Sequence, residues 1–217
     1  MYDGIIFDKD GVLLDSAVND FLWMDKVRVN AAEKHGIKME INDAITIAKA
    51  SSTDEVEKLL RKKEASWEQL QKIENTVQDS KIRLMQENYI TPFPQVETIL
   101  DNLDVEKAVA TNAPRRTAEF TFDHFGLEGY FRIINAPSME PMQNYFDKKK
   151  PGVEMLKSAM DYMNCSNPVM VGDTKSDIKA AENAGIDSIL VESYGERPEL
   201  DPTHRVTRLA ELKRFVE

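Results

Sequence analysis

From residue 107 onward the chain alternates short apolar runs with amphipathic segments, and this pattern restricts its fold more than any other feature. KAVAT (107–111), FRIIN (131–135), PVMVG (168–172) and DSILV (187–191) have the length and composition of short buried strands. Between them RRTAEFTFDHF, GVEMLKSAMDYM and SDIKAAENA place apolar residues at helical spacing. Strict strand–helix alternation implies parallel strands joined by right-handed crossovers. Tyr2 to Phe7 reads as one more buried strand at the start of the chain. The expected architecture is α/β, a doubly wound parallel sheet.

Residues 16 to 88 break the alternation with long helical segments and no convincing strand. FLWMDKVRVNAAEKH is stopped by Gly36, and Ser52 or Thr53 can cap DEVEKLLRKK. Ser66 can cap the segment that begins WEQLQKIENTV. Pro92-Phe93-Pro94 then forms a stiff exit, because proline fixes its own φ and restricts its predecessor. The expected organisation is an α/β core of residues 1–15 plus 89–217 with an inserted helical unit at 16–88.

Charge narrows the function classes. Twenty-eight Lys and Arg stand against 38 Asp and Glu, a net charge of −10 that repels a nucleic-acid backbone. The lone cysteine, Cys165, reads as a packed thiol. No apolar run approaches the ~20 residues of a membrane span, and the N-terminus lacks the basic-then-apolar pattern of a signal peptide. A cytoplasmic enzyme or binding protein with no nucleic-acid or membrane partner is expected; the sequence is silent on oligomeric state.

Four polar signatures fall just past expected strands or at helix starts, and in a parallel sheet those points converge on one edge. Asp8 and Asp10 in DKDG can both face a crevice, one attacking phosphorus and the other moving protons, although D-x-D-G also suits a turn or a calcium loop. Thr111-Asn112 can hold phosphoryl oxygens or simply start a helix. Lys150, before Pro151 at the expected first turn of a helix, can offset charge at the site, while Lys148 and Lys149 read as solvated surface. Asp173 and Asp177 in VGDTKSD have a spacing that puts both on one side of the crevice, where carboxylates suit octahedral Mg²⁺; helix capping is the competing role. Asp8, Asp10, Asp173 and Asp177 against Lys150 leave a formal charge of about minus three, which calls for a cation or a raised pKa. With Mg²⁺ bound and Asp10 protonated, the site is expected to approach neutrality and admit a phosphate dianion.

The segment FDKDGVLLDS (7–16), Thr111-Asn112, Lys150-Pro151 and Val171 to Gly185 resemble, in order, the four motifs of the haloacid dehalogenase-like hydrolases, in the group of phosphoglycolate phosphatase and β-phosphoglucomutase. The resemblance implies a Rossmann-like core, with residues 16–88 as a mobile helical cap that closes over the site and selects substrate. It implies Asp8 as nucleophile, Asp10 as general acid and then base, and Thr111 and Lys150 as phosphoryl and charge anchors. Asp173 and Asp177 become Mg²⁺ carboxylates beside Asp8, with the backbone carbonyl of Asp10 as a further ligand. The reaction implied is hydrolysis of a small phosphorylated metabolite; a sugar-phosphate mutase and a non-catalytic phospho-ligand binder are the alternatives. A phosphonate hydrolase would need a cap lysine such as Lys26 or Lys49. Arg115 and Arg116 can reach a substrate but suit a solvated helix start better.

Overall fold

The computed structural model describes residues 1–16 and 21–216, so residues 17–20 of the expected cap lie outside the described residues. In chain order the first elements are β1 (Gly4–Phe7), β2 (Leu14–Asp15) and four helices, α1 (Leu22–Lys34), α2 (Ile41–Lys49), α3 (Thr53–Lys62) and α4 (Trp67–Gln86). The chain returns through β3 (Thr91–Pro92), α5 (Val96–Asp101), β4 (Glu106–Ala110) and α6 (Arg115–His124). It finishes with β5 (Ile134–Asn135), α7 (Glu154–Met163), β6 (Pro168–Gly172), α8 (Lys175–Ala184), β7 (Asp187–Val191) and β8 (His204–Val206).

Six parallel strands form one sheet in the order β5-β4-β1-β6-β7-β8. Side chains alternate across it as a pleat requires. Ile5, Phe7, Val109, Val169 and Val171 enter one apolar layer with Val96 and Leu100 of α5, Phe122 of α6 and Leu212 near the C-terminus. Ile6, Ala108, Ala110 and Met170 enter the opposite layer with Leu156 and Ala159 of α7 and Ala180 and Ala181 of α8. Both faces are covered, which is the doubly wound arrangement expected from the alternation.

PVMVG and DSILV are strands at the expected residues, whereas FRIIN contributes only Ile134–Asn135, an edge strand paired on one side with β4. The ladder of β1 starts at Gly4, because the amide of Tyr2 donates to Phe215 O instead. Strand β8 was not anticipated: three residues, His204, Arg205 and Val206, carry too little apolar character to signal a strand. The antiparallel pairing of β2 with β3 was also missed, although it brings the two ends of the insertion together.

The four inserted helices begin and end where local chemistry dictates. Ser52 Oγ accepts from the amide of Glu55, Ser66 and Gln69 form a reciprocal capping box, and Gly36 takes a φ of +75° just beyond α1. Their apolar residues pack into one cluster, including Ala31, Ala44, Ile47, Val56, Leu70 and Ile73. Met139, Met142, Tyr145 and Phe146, from the long connection between β5 and α7, join that cluster and dock the insertion against the sheet edge. Among the described residues no helix is long and apolar enough to cross a membrane. Truncating Ile73 to Ala, at a position with no solvent exposure in this cluster, is expected to cost about 2–5 kcal/mol, read as a lowered midpoint in urea unfolding.

Candidate functional site

Strands β1, β4 and β6 are neighbours, so the residues following them meet at one edge of the sheet. Asp8 follows β1, and its amide donates to Val171 O at 2.8 Å, carrying the ladder one residue past the strand. Thr111 follows β4 and Asp173 follows β6. Two glycines let the side chains crowd. A Cβ on Gly11, which sits at φ +83°, would lie 2.1 Å from Asp173 Oδ2, and one on Gly172 would lie 2.2 Å from the Cβ of Asp177.

Asp8, Asp173 and Asp177 each offer a ligand oxygen, and these three atoms lie within 4.8 Å of one another, all buried. Two cations act on them, half-buried Arg197 on Asp173 and Lys150 inside the cluster. Lys150 Nζ donates to Asp8 Oδ1 at 2.9 Å and to Ala110 O at 2.6 Å, and approaches Asp177 Oδ1 at 2.6 Å. That last approach is an ion contact without hydrogen-bond alignment, so Asp177 Oδ1 and both oxygens of Asp173 remain without hydrogen-bond partners. Asp177 Oδ2 is engaged by Thr174, whose hydroxyl and amide donate at 2.6 and 3.0 Å, so the residue caps α8 and faces the site at once. Burial, reinforced by Asp177 and Asp10, raises the Asp8 carboxyl to about 6 against the pull of Lys150. Burial, with Asp177 and Asp8 adding to it, raises Asp173 well above the usual carboxylate range. Buried, orphaned carboxylate oxygens at this spacing fit a hard divalent cation such as Mg²⁺.

The side chain of Asp10 stands apart from that cluster. Its Oδ1 accepts from Lys9 Nζ at 2.8 Å, Ser16 Oγ at 2.5 Å and Lys81 Nζ at 2.6 Å. Burial alone would raise its pKa, but Lys81 and Lys9 outweigh burial and hold the carboxyl well below its ordinary value. With Lys9 and Lys81 in contact, the carboxylate form of Asp10 is favoured in this arrangement. Its side chain does not join the metal-ligand oxygens; only its backbone is left for that role. Burial lowers Lys81 to about 8, with Asp10 acting in the opposite direction. Lys81 reaches the core from α4 of the insertion, a contact between segments 71 residues apart.

Thr111 is buried, and its Oγ1 accepts from the amide of Ala113 at 3.1 Å. Asn112 uses both ends of its amide on the backbone of Lys150: Oδ1 accepts from Lys150 N at 2.7 Å and Nδ2 donates to Lys150 O at 3.2 Å. It positions the lysine, and its polar atoms are already engaged. Pro151 lies ahead of α7, which begins at Glu154, so this clamp rather than a helix start aims Lys150. Lys149 is not solvated surface: it is buried, donates to Ala48 O at 2.8 Å and lies 5.5 Å from the ring centre of Phe146. Arg116 pairs with Asp79 at an exposed position.

Sequence reasoning missed Lys9 and Lys81. Lys81 carried a readable signal, because Glu74, Gln78 and Lys81 share the buried stripe of α4 with Leu70, Ile73, Val77 and Met85. Polar residues on a buried stripe mark a helix that faces something other than a plain core.

Residues 5–191 match the family model of haloacid dehalogenase-like hydrolases. The chain belongs to that family. A phosphoglycolate phosphatase of Rhodobacter capsulatus is 29% identical over 112 residues, 50% of this chain and 48% of its own length. One from Aquifex aeolicus is 26% identical over 196 residues, 86% of this chain and 83% of its own. The chain thus spans about half the length of the first relative and most of the second. Its fold is that of CbbY from Rhodobacter sphaeroides, solved with phosphate: TM-score 0.74 at 20% identity, covering 98% of this chain and 96% of the other.

The electrostatics lead to two expectations. Asp8 and Asp173 have folded-state pKa values above their unfolded ones, so each favours the folded state at low pH and loses that contribution as pH rises. For Asp8 the window runs from 3.8 to about 6. EDTA-treated hydrolase should lose thermal stability across that range, and Mg²⁺ should restore it, by roughly 2.7 kcal/mol when the ion is about 100-fold above its Kd. Asp173→Asn should stabilise the metal-free protein and remove the Mg²⁺ response, both read from melting temperatures. Second, Lys81→Met should raise the pKa of Asp10, tracked through its carboxyl ¹³C shift in an NMR titration, because the remaining partners are Lys9 and Ser16.

Proposed function

We propose that this hydrolase is a Mg²⁺-dependent phosphomonoesterase that passes the phosphoryl group through Asp8. The observation that carries the reading is the pairing of Asp8 with Lys150 beside the unbonded oxygens of Asp173 and Oδ1 of Asp177, opening on a cavity that Asp10 also lines. The names of the relatives support phosphate-ester chemistry at such a site.

Asp8, Asp173, Asp177 and the carbonyl of Asp10 would hold the ion. A bound divalent cation supplies charge neutralisation and polarises the phosphoryl oxygens. Lys150 fixes one oxygen of Asp8 and leaves the other to attack phosphorus, forming the aspartyl phosphate as the bond to the leaving oxygen breaks. The departing alkoxide takes a proton from Asp10. Water then gives a proton to Asp10, attacks the acyl phosphate, and releases inorganic phosphate and Asp8. Thr111 at the end of β4 would steady the phosphoryl oxygens.

Asp10 needs a proton for the first half and must be free of it for the second. The Lys9–Lys81 bracket favours the second state. Proton uptake therefore belongs to a stage in which Lys81 is withdrawn with the insertion, and docking of Lys81 readies Asp10 as a base. The reading is tested by hydrolysis of an aryl phosphate. Activity should require Mg²⁺ and disappear in Asp8→Asn, while Asp10→Asn should lower kcat by about 10²–10⁴. Full turnover by Asp8→Asn would sink the proposal.

A further inference from the structure

The cavity between the sheet edge and the insertion has a volume of about 580 Å³, and its charge is unevenly committed. On the insertion side of the cavity, on α1, lies Arg28, only 3% exposed. Its Nε and Nη2 donate to the two oxygens of Glu74 at 2.5 and 3.1 Å, and its Nη1 donates to Asp25 at 2.8 Å. A guanidinium fork is the usual receptor for a ligand carboxylate or phosphate. Here three of its five N–H groups are donated to two carboxylates of the protein itself, which neutralise its charge. The trio carries one net negative charge, which Lys149 cancels.

The other buried charges reach the same balance. Lys9 and Lys81 beside Asp10, protonated as the first half-reaction requires, leave two positive charges. Asp8, Asp173 and Asp177 against Lys150 leave two negative charges, which a divalent cation cancels. The cavity with its ion therefore carries two positive charges, and a phosphoryl dianion brings the total to zero. Lys49, Lys175 and Lys179 at the rim are exposed and screened by solvent.

We propose that the substrate is a phosphomonoester whose leaving group is uncharged and bears hydroxyls, of the polyol or sugar class, because Arg28 is neutralised by Asp25 and Glu74 on the side of the cavity that would receive it. The inference rests on the phosphatase reading. A second anion on the substrate finds Arg28 already paired and Lys149 balancing the trio's excess carboxylate, and it faces two carboxylates at low dielectric. Hydroxyl groups are better served. Each carboxylate oxygen can accept two hydrogen bonds, so Glu74 and Asp25 retain acceptor capacity after Arg28 is satisfied. Gln78 adds a neutral polar group, and Met24, Val77 and Phe146 supply apolar wall for C–H surface.

The test compares two substrates of equal length, 2-phosphoglycolate and 2-hydroxyethyl phosphate, which differ in a carboxylate against a hydroxymethyl group. With Mg²⁺ present, kcat/KM should favour the hydroxyl compound by about tenfold or more. Glu74→Gln, which weakens the neutralisation of Arg28, should move the ratio roughly tenfold toward phosphoglycolate. Asp25→Asn, with a single hydrogen bond to Arg28 at stake, should move it the same way and serves if the first variant does not fold. A wild-type preference for phosphoglycolate, or a ratio unmoved in the variants, overturns the inference. Failure to turn over any phosphate, an aryl phosphate included, would instead refute the phosphatase reading. Calorimetric affinities of the same pair for the Asp8→Asn protein with Mg²⁺ then still decide the selectivity.

Discussion

Three carboxylates held within a few ångströms of one another, out of water, repel each other, and most of the site can be read as a response to that repulsion. Lys150 is the one buried cation inside the cluster, touching Asp8, Asp177 and the carbonyl of Ala110. Its backbone is clamped by the Asn112 amide on the neighbouring strand's exit, so the ammonium has little freedom to leave. One ammonium cannot satisfy three carboxylates. The remainder appears as orphaned oxygens on Asp173 and Asp177, and as raised pKa values at Asp8 and Asp173. Such a cluster is costly when empty and stabilised when a divalent ion binds, which ties folding energy to the same ion that the chemistry would use.

Lys81 ties the insertion to the charge at the sheet edge. It rides on α4, whose buried stripe also carries Glu74 and Gln78, and it ends on the carboxylate of Asp10 in the core. Any displacement of α4 from the sheet edge changes the charge beside Asp10, because Lys81 and Lys9 together keep that carboxyl ionised. The protonation state of one core residue is therefore coupled to the docking of a helix far away in sequence. Thr53, which donates from its amide and hydroxyl to Asp147 at 2.7 Å each, and Lys149 on Ala48 O add further polar contacts to the same seam.

What was legible in the sequence follows from what periodic patterns detect. The strands of PVMVG and DSILV were legible because both faces are buried and the apolar runs are unbroken; β8 was not, because its three residues hold one buried apolar side chain. Asp8, Asp173, Asp177 and Lys150 were legible because strand ends in a parallel sheet converge, and the structure gathers all four. Lys9 was hidden by its place between two acidic residues, where a lysine reads as exposed, yet it has no solvent exposure. Lys149 was hidden by a run of three lysines, of which only Lys148 behaves as surface. Partners supplied by distant segments, α4 for Asp10 and α2 for Lys149, leave no local mark on the residues they bury.

The trio of Arg28, Asp25 and Glu74 sharpens this contrast. A buried ion pair contributes little net stability, since desolvating the charges cancels most of their attraction, and an apolar substitute of equal volume packs as well. Stability alone therefore does not account for a guanidinium and two carboxylates at a cavity wall in the midst of an apolar cluster. Their consequence is electrostatic: they neutralise Arg28, the one buried arginine among the described residues, and set hydrogen-bond acceptors beside it. The two sides of the cavity are thus complementary to different halves of a ligand, one to a phosphoryl dianion with its cation, the other to a neutral, hydrogen-bonding remainder. The asymmetry is fixed by side chains on α1 and α4, so the elements that place Lys81 on Asp10 also set what the insertion side can receive.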